Sequence, residues 1–473
     1  MKGFTCGAVL LLGVGVGVSA CVTGDDATST SDTAQMLSGH RNLPNGVPIP
    51  NATGMTATVS TSGGIDLTNE FFQDLGTNGR RCVTCHLPTA GWGITPEQVQ
   101  LVFAATKGGV IDDGVGLGAI FRTNDGSVSP DADISTLAAR KTAFSMLPNH
   151  GVIRVSMAVP ATAEFELVNV NDPYHHSSAA DLSMFRRPLP ATNLAFLSAV
   201  MWDGRETFAG QSIHFDLSDQ SNGATQGHAQ GNPISDEQRE SIVDFESSLY
   251  TAATFDNNAK QTDRNGATGG PENLSNEAFY IGINDLFGDS HTGAPFNPNA
   301  MTDYTAWTNS QDKNRAAVAR GEALFNTRNI GIEGVGGIND NPAFGSPAHV
   351  DGTCTTCHDS PNAGNHSTSV PLNIGIVDPA RHGADYPVYT FRNKTTGELK
   401  TVTDPGRAMI SGKWIDIGKF KGPILRGLAA RAPYFHDGSG ADLDAVVDFY
   451  NTRFNMHLTH NEHSDLVAFL RTL

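Results

Sequence analysis

The pattern Cys-x-x-Cys-His occurs twice in this sequence, and this pair of motifs restricts the fold more than any other feature. Two cysteines three positions apart span one helical turn and can form thioether bonds with the two vinyl groups of one porphyrin, while the adjacent histidine becomes the proximal ligand of the iron. We therefore predict two covalently attached haem c groups. The residues are Cys82, Cys85 and His86 in the first motif, and Cys354, Cys357 and His358 in the second.

Two other kinds of site use paired cysteines: a four-thiolate zinc site built from both pairs, and two short-loop disulfides. Zinc does not require a histidine after each second cysteine, and a redox disulfide needs no second copy. The remaining cysteines, Cys6 and Cys21, lie in the N-terminal segment. Haem attachment therefore uses every thiol of the folded body and leaves none for a structural disulfide.

The N-terminal segment has the pattern of an export signal. Lys2 precedes an apolar run over residues 8–18, and small residues lead to Cys21, as at the processing site of bacterial lipoproteins. We predict a signal peptide over residues 1–20 and a lipid-bearing Cys21; an ordinary signal peptide with an unrelated cysteine is the alternative. The protein would then be periplasmic or anchored to the outer membrane through lipid alone. Residues 21–62, which are rich in small polar side chains, predict a flexible tether.

The length and the charge of the chain limit its possible domain organisation and its possible partners. A chain of 473 residues can form two cores of about 200 residues each. The net charge is -18 and the chain has no run rich in Lys or Arg, which argues against nucleic acid as a partner. An acidic surface favours a basic or neutral redox partner.

The chain also contains an internal duplication. Residues 186–205 and 420–438 each run from a basic residue through proline and an apolar segment to an aromatic-containing turn that Asp-Gly closes. The simplest explanation is two class I cytochrome c-like domains in tandem, over residues 63–270 and 271–473.

Periodicity predicts a mainly α fold. Ser235 and Asp442 have the sequence context of helix N-caps, and a last amphipathic helix is predicted to start near Ser464. Apolar residues alternate with polar ones over residues 153–159, and a second β-prone run covers residues 165–170. These runs predict a small β-hairpin inserted in the first domain.

These motifs resemble the bacterial di-haem cytochrome c peroxidases, a family that includes the methylamine-utilisation enzyme that oxidises tryptophans of a partner protein. The resemblance covers residues 71–473 and rests on both haem motifs, the Trp-Asp-Gly-Arg stretch at 202–205 and the stretch 432–438. It implies that the His86 haem reacts with hydrogen peroxide and that the His358 haem transfers electrons to it. Trp202 resembles the tryptophan between the haems that relays electrons; a packed core aromatic is the alternative.

The resemblance also implies a sixth ligand for the second haem. Ordinary family peroxidases use methionine there, and the tryptophan-oxidising enzyme uses tyrosine. The helix after His436 offers Tyr450, and Met456 is a competing ligand. Because a phenolate stabilises ferric and higher iron states, Tyr450 would favour storage of oxidising equivalents.

The sequence departs from the family near the peroxide-binding iron. The family has a glutamate where our alignment places Gln230, and an amide cannot shuttle a proton. His228 is the substitute that we predict, with a surface histidine as the alternative. His175 and His176 lie where some members keep a displaceable histidine ligand.

The sequence departs from the family at the calcium site between the domains, so calcium is a possible but doubtful cofactor. Arg187 and Arg431 stand where the family has Asn and commonly Thr. Calcium as a cofactor is therefore doubtful.

We consider three functions for the chain. The first is reduction of hydrogen peroxide with electrons from a small cytochrome or cupredoxin. The second is a peroxide-dependent oxidase that modifies a protein or organic substrate through high-valent haems, which Tyr450 motivates. The third is a di-haem electron carrier without peroxidase activity. Since family members are often dimers, a homodimer is also expected.

Overall fold

The computed structural model describes residues 36–37 and 41–473, so the predicted signal peptide and Cys21 lie outside the described residues. Helices, including 3-10 turns, account for 31% of the described residues and strands for 16%, in line with a mainly helical class. The α-helices of the described residues are α1 (Pro96–Thr106), α2 (Leu137–Ala143), α3 (Met146–His150), α4 (Ile213–Gly227), α5 (Asp236–Ser248), α6 (Pro271–Leu274), α7 (Lys313–Thr327), α8 (Ala408–Ser411), α9 (Leu443–Arg453) and α10 (His460–Arg471).

Short antiparallel strands connect these helices. The strands are β1 (Asn42–Leu43), β2 (Ile49–Asn51), β3 (Gly54–Ser60), β4 (Ile65–Asp66), β5 (Ile153–Met157), β6 (Phe165–Asn171), β7 (Leu182–Arg186), β8 (Leu249–Asp256), β9 (Lys260–Gln261), β10 (Ile330–Ile332), β11 (Val350–Gly352), β12 (Val388–Asn393) and β13 (Leu399–Val402). They form small sheets in the orders β1-β4, β2-β3-β8-β9, β5-β7, β6-β12-β13 and β10-β11.

Helix starts follow the predicted caps with one exception. The Ser235 side chain accepts a hydrogen bond from Gln238 N, and Asp442 caps α9 in the same way, so both predictions are confirmed. The last helix begins earlier than predicted, at His460, because Thr459 and Glu462 form a capping box.

The predicted β-hairpin is wrong, although both of its strands exist. β5 pairs with β7, whereas β6 pairs with β12 from the second half of the chain. Phe165 of β6 is buried and meets the Phe391 ring of β12 edge-on at 5.2 Å. The pairing of β6 with β12 therefore depends on an apolar contact between distant segments of the chain. The local alternation of apolar and polar residues does not predict such a contact.

The predicted flexible tether extends too far. β2 and β3 lie inside residues 21–62, yet β3 pairs with β8 and is buried along most of its length. Its small polar side chains are paired: Thr58 and Thr251 hydroxyls lie 2.8 Å apart, and those of Ser60 and Ser248 lie 2.9 Å apart. The composition resembles a tether because these buried hydroxyls satisfy one another across the sheet.

Each haem motif lies beside its own aromatic core. Phe71 packs against Trp92 and Phe245 near the first motif, with ring centroids 5.9 and 5.3 Å away. In the second half, Gly321 of α7 approaches α10 so closely that a Cβ atom would lie 2.0 Å from the carbonyl oxygen of Asp465. Glycine therefore allows α7 and α10 to cross in direct contact.

The described residues contain no helix that is long and apolar enough to cross a membrane.

Candidate active site

The first motif forms one tight turn. Cys82–Thr84 is a 3-10 helix, and the Thr84 hydroxyl accepts a hydrogen bond of 3.1 Å from Arg81 N. The amide of His86 donates to the carbonyl oxygen of Cys82 at 3.1 Å. This compact turn brings both thiols and the imidazole to one cavity wall.

The second motif repeats this local structure. Cys354–Thr356 is again a 3-10 helix, in which Thr353 N donates to the Thr356 hydroxyl at 2.9 Å. The amide of His358 donates to the carbonyl oxygen of Cys354 at 3.0 Å. Two segments with different flanking sequences thus share one hydrogen-bond pattern, which supports the duplication.

Both motif histidines are prepared to bind iron. Nδ1 of His86 lies 3.2 Å from the carbonyl oxygen of Trp92, and Nδ1 of His358 lies 3.0 Å from that of Gly364. Since a carbonyl only accepts, Nδ1 carries the proton and the lone pair lies on Nε2. Burial lowers the pKa of each imidazole to about 4, so both rings are neutral. This tautomer is the one that an Nε2 iron ligand requires.

The four cysteines are unpaired in the structure. Burial raises the pKa of Cys85, Cys354 and Cys357 to about 12, which keeps them as thiols. None of the four belongs to a cluster of three or more metal-binding side chains among the described residues. The four-thiolate zinc alternative therefore has no geometric support, and free thiols beside an apolar wall fit thioether attachment of a porphyrin.

One cavity reaches both motifs. All six motif residues line it, together with mainly apolar side chains from both halves of the chain. Trp202, His228 and Tyr450 also lie on its wall, so the fold brings together most of the predicted site residues.

Two matching turns meet on the wall of this cavity. In the first turn Met201 and Gly204 have φ of 67° and 68°, and in the second Phe435 and Gly438 have φ of 66° and 78°. Trp202 and His436 therefore occupy equivalent positions, and their rings meet edge-on with centroids 6.3 Å apart.

Each turn is held by the other half of the chain. Lys421 N donates to the carbonyl oxygen of Trp202 at 2.9 Å, and Arg187 N donates to that of His436 at 2.6 Å. The indole Nε1 of Trp202 also donates to the carbonyl oxygen of Arg187 at 2.9 Å. The indole is thus fixed where the halves join.

Tyr450 and Met456 both line the part of the cavity near the second motif. The Tyr450 ring centroid lies 6.5 Å from that of His358, and burial raises the pKa of its phenol. Met456 is buried at 4% exposure. Both candidate ligands therefore remain available on the wall near His358.

His228 lies on the cavity wall and is oriented by a carboxylate. Its Nδ1 forms a hydrogen bond with Asp125, which also binds the Arg80 guanidinium. Burial alone would raise the pKa of Asp125, but Arg80 and His228 outweigh burial and hold that pKa below its usual range. The carboxylate is therefore ionised and fixes the imidazole.

Gln230, by contrast, does not reach the cavity. Helix α4 ends at Gly227, and Gln230 adopts a left-handed conformation with φ of 54° and an exposed side chain. Its carbonyl oxygen accepts a hydrogen bond from the Thr77 hydroxyl at 2.8 Å. The prediction of a site role for Gln230 is therefore not supported by its position.

The predicted alternative ligands His175 and His176 are also absent from the cavity wall. Nε2 of His176 instead lies 2.7 Å from the Asp181 carboxylate. His176 is thus hydrogen-bonded to a carboxylate outside the cavity wall.

Arg187 is one of the two arginines that make the family's calcium site doubtful in this sequence, and it is buried. Its guanidinium donates to carbonyl oxygens of Ile94 at 2.7 Å, of His150 at 3.1 Å and of Arg431 at 3.1 Å. These carbonyl oxygens therefore accept hydrogen bonds from a guanidinium, and the doubt about calcium stays a prediction.

Two cavity residues were missed from the sequence. Glu246 of α5 is only 7% exposed, and burial raises the pKa of its carboxyl to about 8. Glu246 lies four residues after Ile242, one helical turn along the helix and next to its predicted apolar face. This spacing could have predicted that Glu246 is buried. Lys421 is also buried on the wall, although its lysine identity gave no reason to expect burial.

Comparisons with known proteins give partial matches. No family model matches the chain. The cytochrome-c peroxidase IdrP2 of Denitromonas iodatirespirans is 33% identical over 132 residues, which cover 26% of this chain and 36% of that protein. The cytochrome c551 peroxidase of Nitrosomonas europaea is 30% identical over 121 residues, or 25% of this chain and 30% of the relative.

A shorter match links the chain to the methylamine utilization protein MauG of Methylorubrum extorquens, which is 36% identical over 88 residues, covering 16% of this chain and 25% of that protein. The chain thus spans about a third or less of the length of these curated relatives. A solved structure of a MauG-like protein associated with microbial copper homeostasis aligns with 64% of this chain and 78% of that chain, at 18% identity and a TM-score of 0.30.

Proposed function

We propose that this chain, which belongs to the di-haem cytochrome c peroxidase family, reduces hydrogen peroxide with electrons from a small redox protein. The observation that carries the proposal is the single cavity whose wall includes both Cys-x-x-Cys-His motifs and Trp202. Of two bound haem c groups, one would supply the iron that accepts peroxide and the other the iron that stores electrons. His86 and His358 would be the proximal ligands, and the four cysteines would hold the two porphyrins.

Trp202 would relay electrons between the two halves. It lies at the pseudo-symmetric junction, where Arg187 holds its Nε1 and Lys421 holds its carbonyl oxygen. A fixed aromatic ring between two redox groups shortens the distance for each electron-transfer step. Electrons would enter at the His358 side and leave at the His86 side.

His228 is suited to move a proton near the first motif. With Nδ1 hydrogen-bonded to the ionised Asp125, Nε2 can accept a proton from one peroxide oxygen and return it to the other. The side chain is 41% exposed, so its proton can exchange with solvent. Asp125 would act as a positioning residue for the imidazole.

A second function is favoured by Tyr450. Its phenol lies on the cavity wall near His358, where a tyrosine ligand would favour a peroxide-dependent oxidase acting on a protein or organic substrate. The two functions share the first peroxide step and differ in the electron source.

Export and partners belong to the same proposal. A lipid-bearing Cys21 would place the body in the periplasm or at the outer membrane. The net charge of -18 favours a basic or neutral cytochrome or cupredoxin as donor. Replacement of Cys21 by Ala should release the protein from the membrane fraction, and a variant that stays bound would contradict the anchor. Sedimentation of the purified protein would test the expected homodimer.

The main experiment uses protein matured in a host that attaches haem c. Mass spectrometry should show two added haems, the ferric spectrum should contain a high-spin component, and peroxide should be consumed with a reduced cytochrome as donor. A Cys354→Ala, Cys357→Ala variant should lose one haem and most of the turnover. Two low-spin haems without turnover would replace the peroxidase by an electron carrier, whereas oxidation of an added substrate without a donor would favour the oxidase.

A further inference from the structure

The cavity wall carries positive charge that has no carboxylate partner. Arg187 and Lys421 are 7% and 8% exposed, and Arg431 lies beside them. Within the described part of the chain, none of the three forms an ion pair, and the Lys421 ammonium has no side-chain hydrogen bond at all. The two arginines donate only to backbone carbonyl oxygens.

Several other buried cations among the described residues are neutralised by carboxylates. Arg186 binds Asp203 and Asp404, and Arg426 binds Asp303. Burial of a charge without a counter-charge is unfavourable, because the charge loses its hydration and gains no opposite charge in exchange. The unpaired cations therefore give the cavity wall a positive charge that an anion inside the cavity would neutralise.

Their positions follow the duplication. Arg187 and Lys421 are equivalent, since each donates its amide to the carbonyl oxygen at the tip of the other half's turn, at 2.6 and 2.9 Å respectively. Burial, and to a smaller extent the nearby charge of Arg431, lowers the pKa of Lys421 to about 7. An anion next to Lys421 would restore its usual charged state.

We propose that Arg187, Lys421 and Arg431 form an anion-binding centre at the junction of the two halves, which holds the propionate carboxylates of the haems. This rests on the haem attachment in the proposed function. Each porphyrin carries two propionates, and the motifs that would fix the porphyrins line the same cavity. Ion pairs between these carboxylates and Lys421 would both orient the haems and set their potentials.

A free anion such as chloride or formate could also neutralise these cations, because it carries the same negative charge as a propionate. A propionate is covalently part of the cofactor, so its ion pair does not depend on the buffer. A free anion exchanges with solvent, and its effect saturates with concentration.

The test measures reduction potentials by spectroelectrochemical titration of the di-haem protein. Lys421→Met and Lys421→Gln remove the charge, and we expect both to lower the potential of at least one haem, because an uncompensated carboxylate stabilises the ferric state. Lys421→Arg keeps the charge and should stay near the wild-type potential. Lys400→Met, a lysine away from this cavity, should also leave the potentials unchanged.

Two results would overturn the proposal. One is unchanged potentials in a folded Lys421→Gln protein whose mass shows both haems. The other is a saturable shift of the wild-type potentials when chloride or formate is added to anion-free buffer, which would assign the centre to a free anion. Since these readouts are independent of turnover, a protein with the expected shifts but no peroxidase activity would contradict only the proposed function.

Discussion

Trp202 and His436 occupy equivalent positions in two matching turns, and their rings meet edge-on with centroids 6.3 Å apart. Their hydrogen bonding differs. The indole N–H of Trp202 is bound to the carbonyl oxygen of Arg187, whereas both ring nitrogens of the buried His436 lack a hydrogen-bond partner among the residues described. Two copies of one turn have thus acquired different side chains at the point where electrons would cross.

Replacement of Trp202 by Phe should slow electron transfer between the haems. We expect peroxide turnover to fall by about tenfold or more, which corresponds to about 1.4 kcal/mol in activation free energy. Stopped-flow oxidation of the half-reduced protein measures this step. Trp414→Phe, which changes a tryptophan outside the cavity, is the control; equal rates in wild type and Trp202→Phe would remove the relay.

Replacement of Tyr450 and Met456 should identify the sixth ligand of the second haem. If the phenol binds iron, Tyr450→Phe changes the low-spin spectrum and raises the potential, while Met456→Leu changes neither. The ferric spectrum and a redox titration measure both variants. The converse pattern would assign the ligand to Met456, and no change in either variant would exclude both side chains.

Replacement of His228 by Asn should show whether the cavity histidine, and not the exposed Gln230, supports peroxide turnover. Loss of a general acid–base group lowers turnover by about 100-fold or more. Gln230→Ala is the matched control, since its side chain points to solvent, and it should keep wild-type activity. Steady-state peroxide consumption is the measurement, and a larger loss in Gln230→Ala than in His228→Asn would reverse the assignment.

Replacement of Glu246 by Gln should change how stability depends on pH. The folded protein holds this proton up to a pKa of about 8, whereas the unfolded carboxyl loses it above its ordinary value of 4.5. The stability is therefore fully present below pH 4.5 and falls as the pH rises towards 8. At pH 7 the difference amounts to roughly 3 kcal/mol.

Glu246→Gln should flatten this profile and be more stable than wild type at neutral pH. Urea unfolding of the di-haem protein between pH 5 and 8 measures it. The exposed Glu240 of the same helix supplies the control, Glu240→Gln, which should keep the wild-type slope. A wild-type profile that is flat over this interval would contradict the buried, protonated carboxyl.

The local features were accessible from the sequence. The caps at Ser235 and Asp442 act within one helical turn, so their residue types predict them. The hairpin failed for the opposite reason, because β6 finds its partner in β12, more than two hundred residues away. The site role predicted for Gln230 is also not supported, because Gln230 itself adopts a left-handed conformation after α4 and its side chain lies off the cavity wall.

The sequence by itself determined the two Cys-x-x-Cys-His motifs, from which haem attachment is predicted, and the duplicated turn. These features depend on spacings of a few residues, which covalent geometry fixes. Only the tertiary structure decided which side chains share the cavity, including Glu246 and Lys421, and how the two turns support each other through Arg187 and Lys421. Burial and cross-chain hydrogen bonds arise from contacts between distant segments, and residue identity alone does not specify such contacts.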